Sequence, residues 1–146
     1  MQVEKTPNHG IVLTQTLAEP CDAVFAVLTE AGHLPRWTKS AGMSLVTCDV
    51  DLRVGGSFRY VFQRSSGFKI EVRGAYQEVE PPRRFVYTES YDSSPITILV
   101  TTTLDTTSEG TLFRQTLRYA STQERDEDFD TLPRALRRLM PTWRNI

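Results

Sequence analysis

Histidine and cysteine are scarce in this 146-residue chain, with two of each. His9 and His33 alone cannot build a His-rich metal site. Two cysteines cannot build a disulfide scaffold. An excess of either charge is also missing. Lys plus Arg total 17 and Asp plus Glu 18, a formal charge of −1. That balance excludes a basic nucleic-acid binder, so no nucleic acid is expected as a partner. No run of about 18 apolar residues occurs, so no membrane span is expected. Met1 to His9 is polar, carries Glu4 and Lys5, and lacks the apolar stretch of a secretory signal. A cytoplasmic setting follows as the expectation, where thiols stay reduced. Cys21 and Cys48 then read as small buried hydrophobes, with a reactive thiol at Cys21, near a helix start, as the alternative. No G-x-S-x-G, P-loop or Rossmann fingerprint is present. His9 is expected in a flexible N-terminal stretch, and His33 reads as a surface or packing residue beside Trp37. No catalytic residue, metal ligand or cofactor is assigned on these grounds.

What is there suits a single domain spanning 1–146. A chain of this length can bury roughly 68–70% of its unfolded surface, enough for a core without staples. Ile11 to Leu17 alternates apolar and polar residues, the pattern of a half-buried strand. Pro20 opens a short helix in which Cys21, Val24, Phe25 and Leu28 share one face. Ala31 to Trp37 is at best a second short helix, interrupted by Pro35. From Met43 the period becomes two. Strands are predicted over 43–49, 57–64, 69–79, 85–91, 96–105 and 111–119, joined by tight turns. Asp51-Leu52-Arg53-Val54-Gly55-Gly56 is one such turn, since paired glycines supply positive φ at little cost. Ser121-Thr122-Gln123-Glu124 matches a capping box, so a helix starts there. Its apolar positions continue through Phe129, Leu132, Leu136, Leu139, Met140 and Trp143, with Pro133 expected to kink it and Pro141 to end it.

This order of elements predicts an α+β fold with helices on one face of an antiparallel sheet. A twisted sheet with one amphipathic helix across its open side leaves a space between them, which becomes a pocket if imperfectly filled. Phe58, Tyr60, Phe62, Tyr76, Phe85 and Tyr87 all fall on the apolar face of their strands. Plain core packing accounts for any one of them. A partly hollow core accounts for the cluster.

Several motifs together resemble a known family. They are the D-L-R-x-G-G turn at 51–56, Gly74-Ala75-Tyr76-Gln77-Glu78-Val79 followed by Pro81-Pro82-Arg83-Arg84-Phe85, and Val86-Tyr87-Thr88. Gly110-Thr111, the Glu124-Arg125-Asp126 helix start, and Trp37 ahead of the sheet complete the set. Over about 11–125 the chain resembles the homologues of the activator of heat-shock protein 90 ATPase, within the START-like (SRPBCC, Bet-v-1-like) superfamily. The resemblance implies a helix-grip fold: a curved antiparallel sheet of six to seven strands wrapped around a C-terminal helix, with two short helices after the first strand. Two departures stand out. Pro133 and Pro141 interrupt the last helix, and an exposed apolar stripe there would invite a partner or a homodimer. Glu89 replaces an aromatic residue, and alternation with Phe85 and Tyr87 turns it inward. It is then either a polar anchor selecting a ligand with a donor, or a strand-end residue reaching solvent.

The resemblance implies three functions. The first is a module binding a hydrophobic or aromatic small molecule between sheet and helix, lined by Trp37, Phe58, Tyr60, Phe62, Val72, Tyr76, Tyr87 and Glu89. The second is a polyketide-cyclase-like or hydrolase-like enzyme, with Glu89 or an arginine such as Arg59 as acid, base or oxyanion donor. The third is association with a heat-shock chaperone ATPase.

Overall fold

In the computed structural model, residues 2–30, 43–92 and 94–129 are described. Eight strands form one curved antiparallel sheet: β1 (Gln2–Thr6), β2 (Gly10–Leu17), β3 (Met43–Val50), β4 (Ser57–Arg64), β5 (Lys69–Glu80), β6 (Arg84–Tyr91), β7 (Thr97–Thr107) and β8 (Gly110–Arg118). Helix α1 (Cys21–Thr29) lies between β2 and β3, and helix α2 (Thr122–Phe129) follows β8. The strand order is β1-β2-β8-β7-β6-β5-β4-β3. From β3 to β8 the sheet is a simple meander. The chain then closes it by pairing β8 with β2.

Sheet edges explain the one strand that alternation does not reveal. Gln2–Thr6 pairs with β2 from Gln2↔Thr14 to Thr6↔Gly10. It carries a single large apolar residue, Val3, among polar and charged ones, as edge strands do to avoid pairing with other chains. The expected six to seven strands are therefore corrected to eight. His9 is corrected too. It occupies the β1–β2 turn at φ 63, and its carbonyl accepts the Tyr119 amide at 3.0 Å. The second short helix, His33, Pro35, Trp37 and residues 130–146 lie outside the described residues. So do the expected kink at Pro133 and the stripe on which a homodimer would rest.

Two large apolar clusters sit on one face of the sheet, while Val61 and Val86 are buried on the other. Val24 and Phe25 of α1 pack with Phe58, Val72, Tyr76, Phe85, Leu104 and Phe113. A second cluster joins Ile11, Leu13, Ile98, Val100, Leu117 and Tyr119. Buried Cys21 belongs to the first cluster and half-buried Cys48 lies on β3. Helix α2 starts where the capping box places it: Ser121 Oγ accepts the Glu124 amide at 3.1 Å, and Glu124 Oε2 reaches back to the Ala120 amide at 3.3 Å. Among the described residues no helix is long and apolar enough to cross a membrane.

Candidate functional site

Period-two alternation turns Phe58, Tyr60 and Phe62 of β4, Val72 and Tyr76 of β5, and Phe85, Tyr87, Glu89 and Tyr91 of β6 toward the core side. Register then assembles them. Tyr60 lies opposite Val72, Phe58 opposite Gly74, and Tyr76 opposite Tyr87. The Phe58 ring stands 4.9 Å from Tyr60, 5.5 Å from Tyr76 and 5.3 Å from Tyr87, centroid to centroid. Phe85 stacks on Tyr87 at 5.7 Å and meets Phe25 of α1 edge-on at 5.4 Å. Gly74 makes room for this layer. A Cβ there would lie 2.4 Å from the Phe58 ring and 1.9 Å from the Thr88 carbonyl.

The D-L-R-x-G-G turn holds Tyr76 in place. Gly55 sits at φ 82, where a glycine avoids strain. A Cβ on Gly56 would fall 2.1 Å from the Asp51 carbonyl. With the turn so tight, its backbone docks on β5: Gly55 N–H donates to the Tyr76 carbonyl at 3.0 Å, and Tyr76 N–H donates to Gly56 at 2.9 Å. Arg53 closes the turn on Asp51 at 2.8 Å.

All five tyrosines of the chain point to this face: Tyr60, Tyr76, Tyr87, Tyr91 and Tyr119. Burial pushes each phenol above its ordinary range. Their hydroxyls divide into two groups. Tyr91 donates to Glu89, and Tyr119 donates to Asp128 at 2.9 Å. Tyr87 instead accepts a long 3.5 Å contact from Gln115, which also donates to Thr102 at 3.1 Å. The hydroxyls of Tyr60 and Tyr76 face each other. Half-buried Glu89 is raised from 4.5, first by burial and then by the nearby Asp128 carboxylate, while the Tyr91 bond opposes the shift. Asp128 is raised too, by burial, against its bond from Tyr119. On the same side of the sheet, Gln15 Oε1 is buried without a partner among the described residues.

Seven of the eight residues expected to line a pocket thus share one face: Phe58, Tyr60, Phe62, Val72, Tyr76, Tyr87 and Glu89. The eighth, Trp37, lies outside the described residues. Arg59 is corrected as a candidate for this space. It points to the other face, 47% exposed, and pairs with Glu71 at 2.7 Å. Sequence reasoning missed Tyr91, Gln115, Tyr119 and Asp128. Alternation beyond Glu89 could have found Tyr91. A groove of about 570 Å³ opens beside Phe58 at the β3 edge, lined by Cys48, Val50, Asp51 and Ser57 among others. A second, of about 480 Å³ around Thr16, Leu17, Glu19 and Glu109, contains none of these aromatic residues. No cluster of three metal-ligating side chains occurs among the described residues.

A curved antiparallel sheet with an inward aromatic face, one helix after β2 and another after the last strand, defines a START-like domain consistent with the helix grip. The chain belongs to the family described as Activator of Hsp90 ATPase homolog 1-like protein, which matches residues 18–140. Solved structures agree on the fold. A Rhodobacter sphaeroides protein is 23% identical with a TM-score of 0.89, over 97% of this chain and 93% of its own. A Nitrosomonas europaea protein is 24% identical with a TM-score of 0.82, over 97% and 98%. CalU16 from Micromonospora echinospora is 24% identical with a TM-score of 0.67, over 96% and 81%. At these identities the likeness establishes the fold alone. No curated protein matches the chain. Family membership supports a ligand-binding or co-factor role in general terms.

Proposed function

We propose that this protein is a single START-like domain, 1–146, acting in the cytoplasm and binding a hydrophobic, aromatic small molecule against the inner face of β4, β5 and β6. Phe58, Tyr60, Phe62, Val72, Tyr76 and Tyr87 supply the apolar surface, with Trp37 expected beside them and Glu89 at the polar end. One observation carries the reading. Tyr60, Phe62 and Tyr87 stay only half-buried although they stand on the core side of the sheet. Large aromatic side chains left incompletely covered on that side offer a ligand apolar area worth about 25 cal/mol per Å² on burial. The test is an aromatic-region NMR titration of the full chain with naphthalene, alongside native mass spectrometry of the freshly purified protein. Saturable shifts of the Tyr60, Phe62 and Tyr87 ring signals are expected. No saturable shift, together with a bare-protein mass, refutes the reading.

A second reading, association with a heat-shock ATPase, rests on the family's description. Co-sedimentation with a full-length chaperone of that class tests it, and failure to co-sediment removes it.

A further inference from the structure

We propose that Tyr60, Tyr76 and Tyr87 form a layer of phenol donors that recognises a neutral carbonyl oxygen on an aromatic ligand. This rests on the binding reading above and names the ligand's polar group. The three residues occupy adjacent strands, and all three rings touch Phe58. Tyr76 and Tyr87 are direct cross-strand partners with ring centroids 6.2 Å apart.

The inventory of hydroxyl groups decides what the layer lacks. A buried phenol normally finds a partner for its O–H. Tyr91 and Tyr119 have theirs in Glu89 and Asp128. Among the described residues Tyr60 and Tyr76 have only each other. Tyr87 accepts from Gln115, which leaves its own proton uncommitted. Among the described residues at least two O–H donors of the layer thus have no acceptor, those of Tyr87 and of one phenol of the Tyr60–Tyr76 pair. A ligand that satisfies them must bring an acceptor.

Charge selects the kind of acceptor. Glu89 stands two residues from Tyr87 on the same face, opposite Ile98, and interacts with Asp128 on α2. The strand cations on this side stand apart from the Glu89 carboxylate: Arg64 is exposed at the end of β4, and Lys5 of β1 is paired with Asp126 of α2 at 2.8 Å. An anionic acceptor such as a carboxylate or phosphate beside Tyr87 would be repelled by the Glu89 carboxylate that acts on that phenol. A neutral carbonyl accepts two donors and meets no such repulsion.

The experiment compares 9-fluorenone with fluorene, which differ at one carbonyl and share a planar aromatic body. The full chain is titrated with each, as wild type and as the Tyr60→Phe/Tyr76→Phe/Tyr87→Phe variant. Infrared spectroscopy follows the carbonyl stretch of bound fluorenone. Removing the donors is expected to cut fluorenone affinity about tenfold, the effect of one lost buried hydrogen bond. Fluorene affinity should hold within about twofold. The stretch should lie below its value in hexane on the wild type and return toward it in the variant. A wild-type stretch at the hexane value overturns the proposal even if the variant fails to fold. Equal loss of both ligands also overturns it while leaving the binding reading intact. Tighter binding of cationic 9-aminofluorene than of fluorenone overturns it in favour of a carboxylate-led site. Binding of neither hydrocarbon nor ketone takes down both readings.

Discussion

Gly74→Ala tests whether the aromatic layer is as closely fitted to β5 as the geometry requires. The added Cβ would lie 1.9 Å from the Thr88 carbonyl oxygen and 2.4 Å from Cε1 and Cζ of Phe58. Ordinary contact begins near 3.4 Å, so the shortfall is 1.5 Å against backbone and 1.0 Å against the ring. Neither neighbour yields easily. Thr88 belongs to the paired strand β6, where its Oγ1 also accepts the Ala75 amide at 3.2 Å. The Phe58 ring is hemmed in by three tyrosines. Overpacking of this kind costs about 1–3 kcal/mol, sometimes more, and two rigid neighbours place Gly74→Ala at about 3 kcal/mol. Melting should fall by about 6–12 °C for a chain of this size. With a urea slope of about 2 kcal/mol/M, the midpoint should drop by about 1.5 M. Near-UV circular dichroism should weaken as the tyrosine rings lose their fixed packing. Phe58→Leu separates the two clashes, because it removes the ring contact and leaves the carbonyl. If the backbone contact dominates, Gly74→Ala costs nearly as much in the Phe58→Leu background as alone. A Gly74→Ala protein within about 0.5 kcal/mol of wild type refutes the fit of Phe58 across β5.

Two further outcomes follow from the site. Glu89 has its folded-state pKa raised above 4.5 by burial, so the native state holds the proton more tightly than the unfolded chain does. Its contribution to stability is therefore full below pH 4.5 and declines as pH rises through the window above it, with a slope of at most about 1.4 kcal/mol per pH unit. Glu89→Gln keeps an acceptor for Tyr91 and removes the charge. Urea unfolding from about pH 4 to pH 8 should show higher stability near pH 8 and a flatter profile, and an unchanged profile counts against an inward carboxylate. Separately, the two glycines of the D-L-R-x-G-G turn should respond unequally. Gly55→Ala meets no atom within 4 Å and costs only its positive φ, about 1 kcal/mol. Gly56→Ala strikes the Asp51 carbonyl at 2.1 Å and should cost distinctly more, with the Tyr76 ring signal shifting in NMR spectra. Equal costs would detach Tyr76 from the turn.

Alternation alone made much of this site visible. Phe58, Tyr60 and Phe62 repeat at period two on a strand with no irregularity against β5, so their shared face followed from their spacing. Glu89 was turned inward by the same count. What alternation does not contain is register. The pairing of Tyr76 with Tyr87 sits at a shift between Tyr76 and Glu78, where a bulge breaks the count that would carry one strand onto the next. Tyr119 and Asp128 are only nine residues apart, but their approach to Glu89 depends on β7 lying between β6 and β8, which places Ile98 opposite Glu89 and the end of β8 one residue short of that row. Strand β1 escaped notice because one valine among charged residues carries no periodic signal. The motifs that marked the family divide along the same line. The D-L-R-x-G-G turn is recognisable as a local string, but its hydrogen bonds go to Tyr76, about twenty residues further on. A turn that reads as punctuation in the sequence is thus the fixture that holds one phenol of the layer against β6. The fate of a phenol hydroxyl depends on its neighbours across the sheet, and those neighbours are set by register and by such fixtures. The residue types at this site could therefore be read from the chain, whereas its uncommitted donors could be found only once the strands were paired.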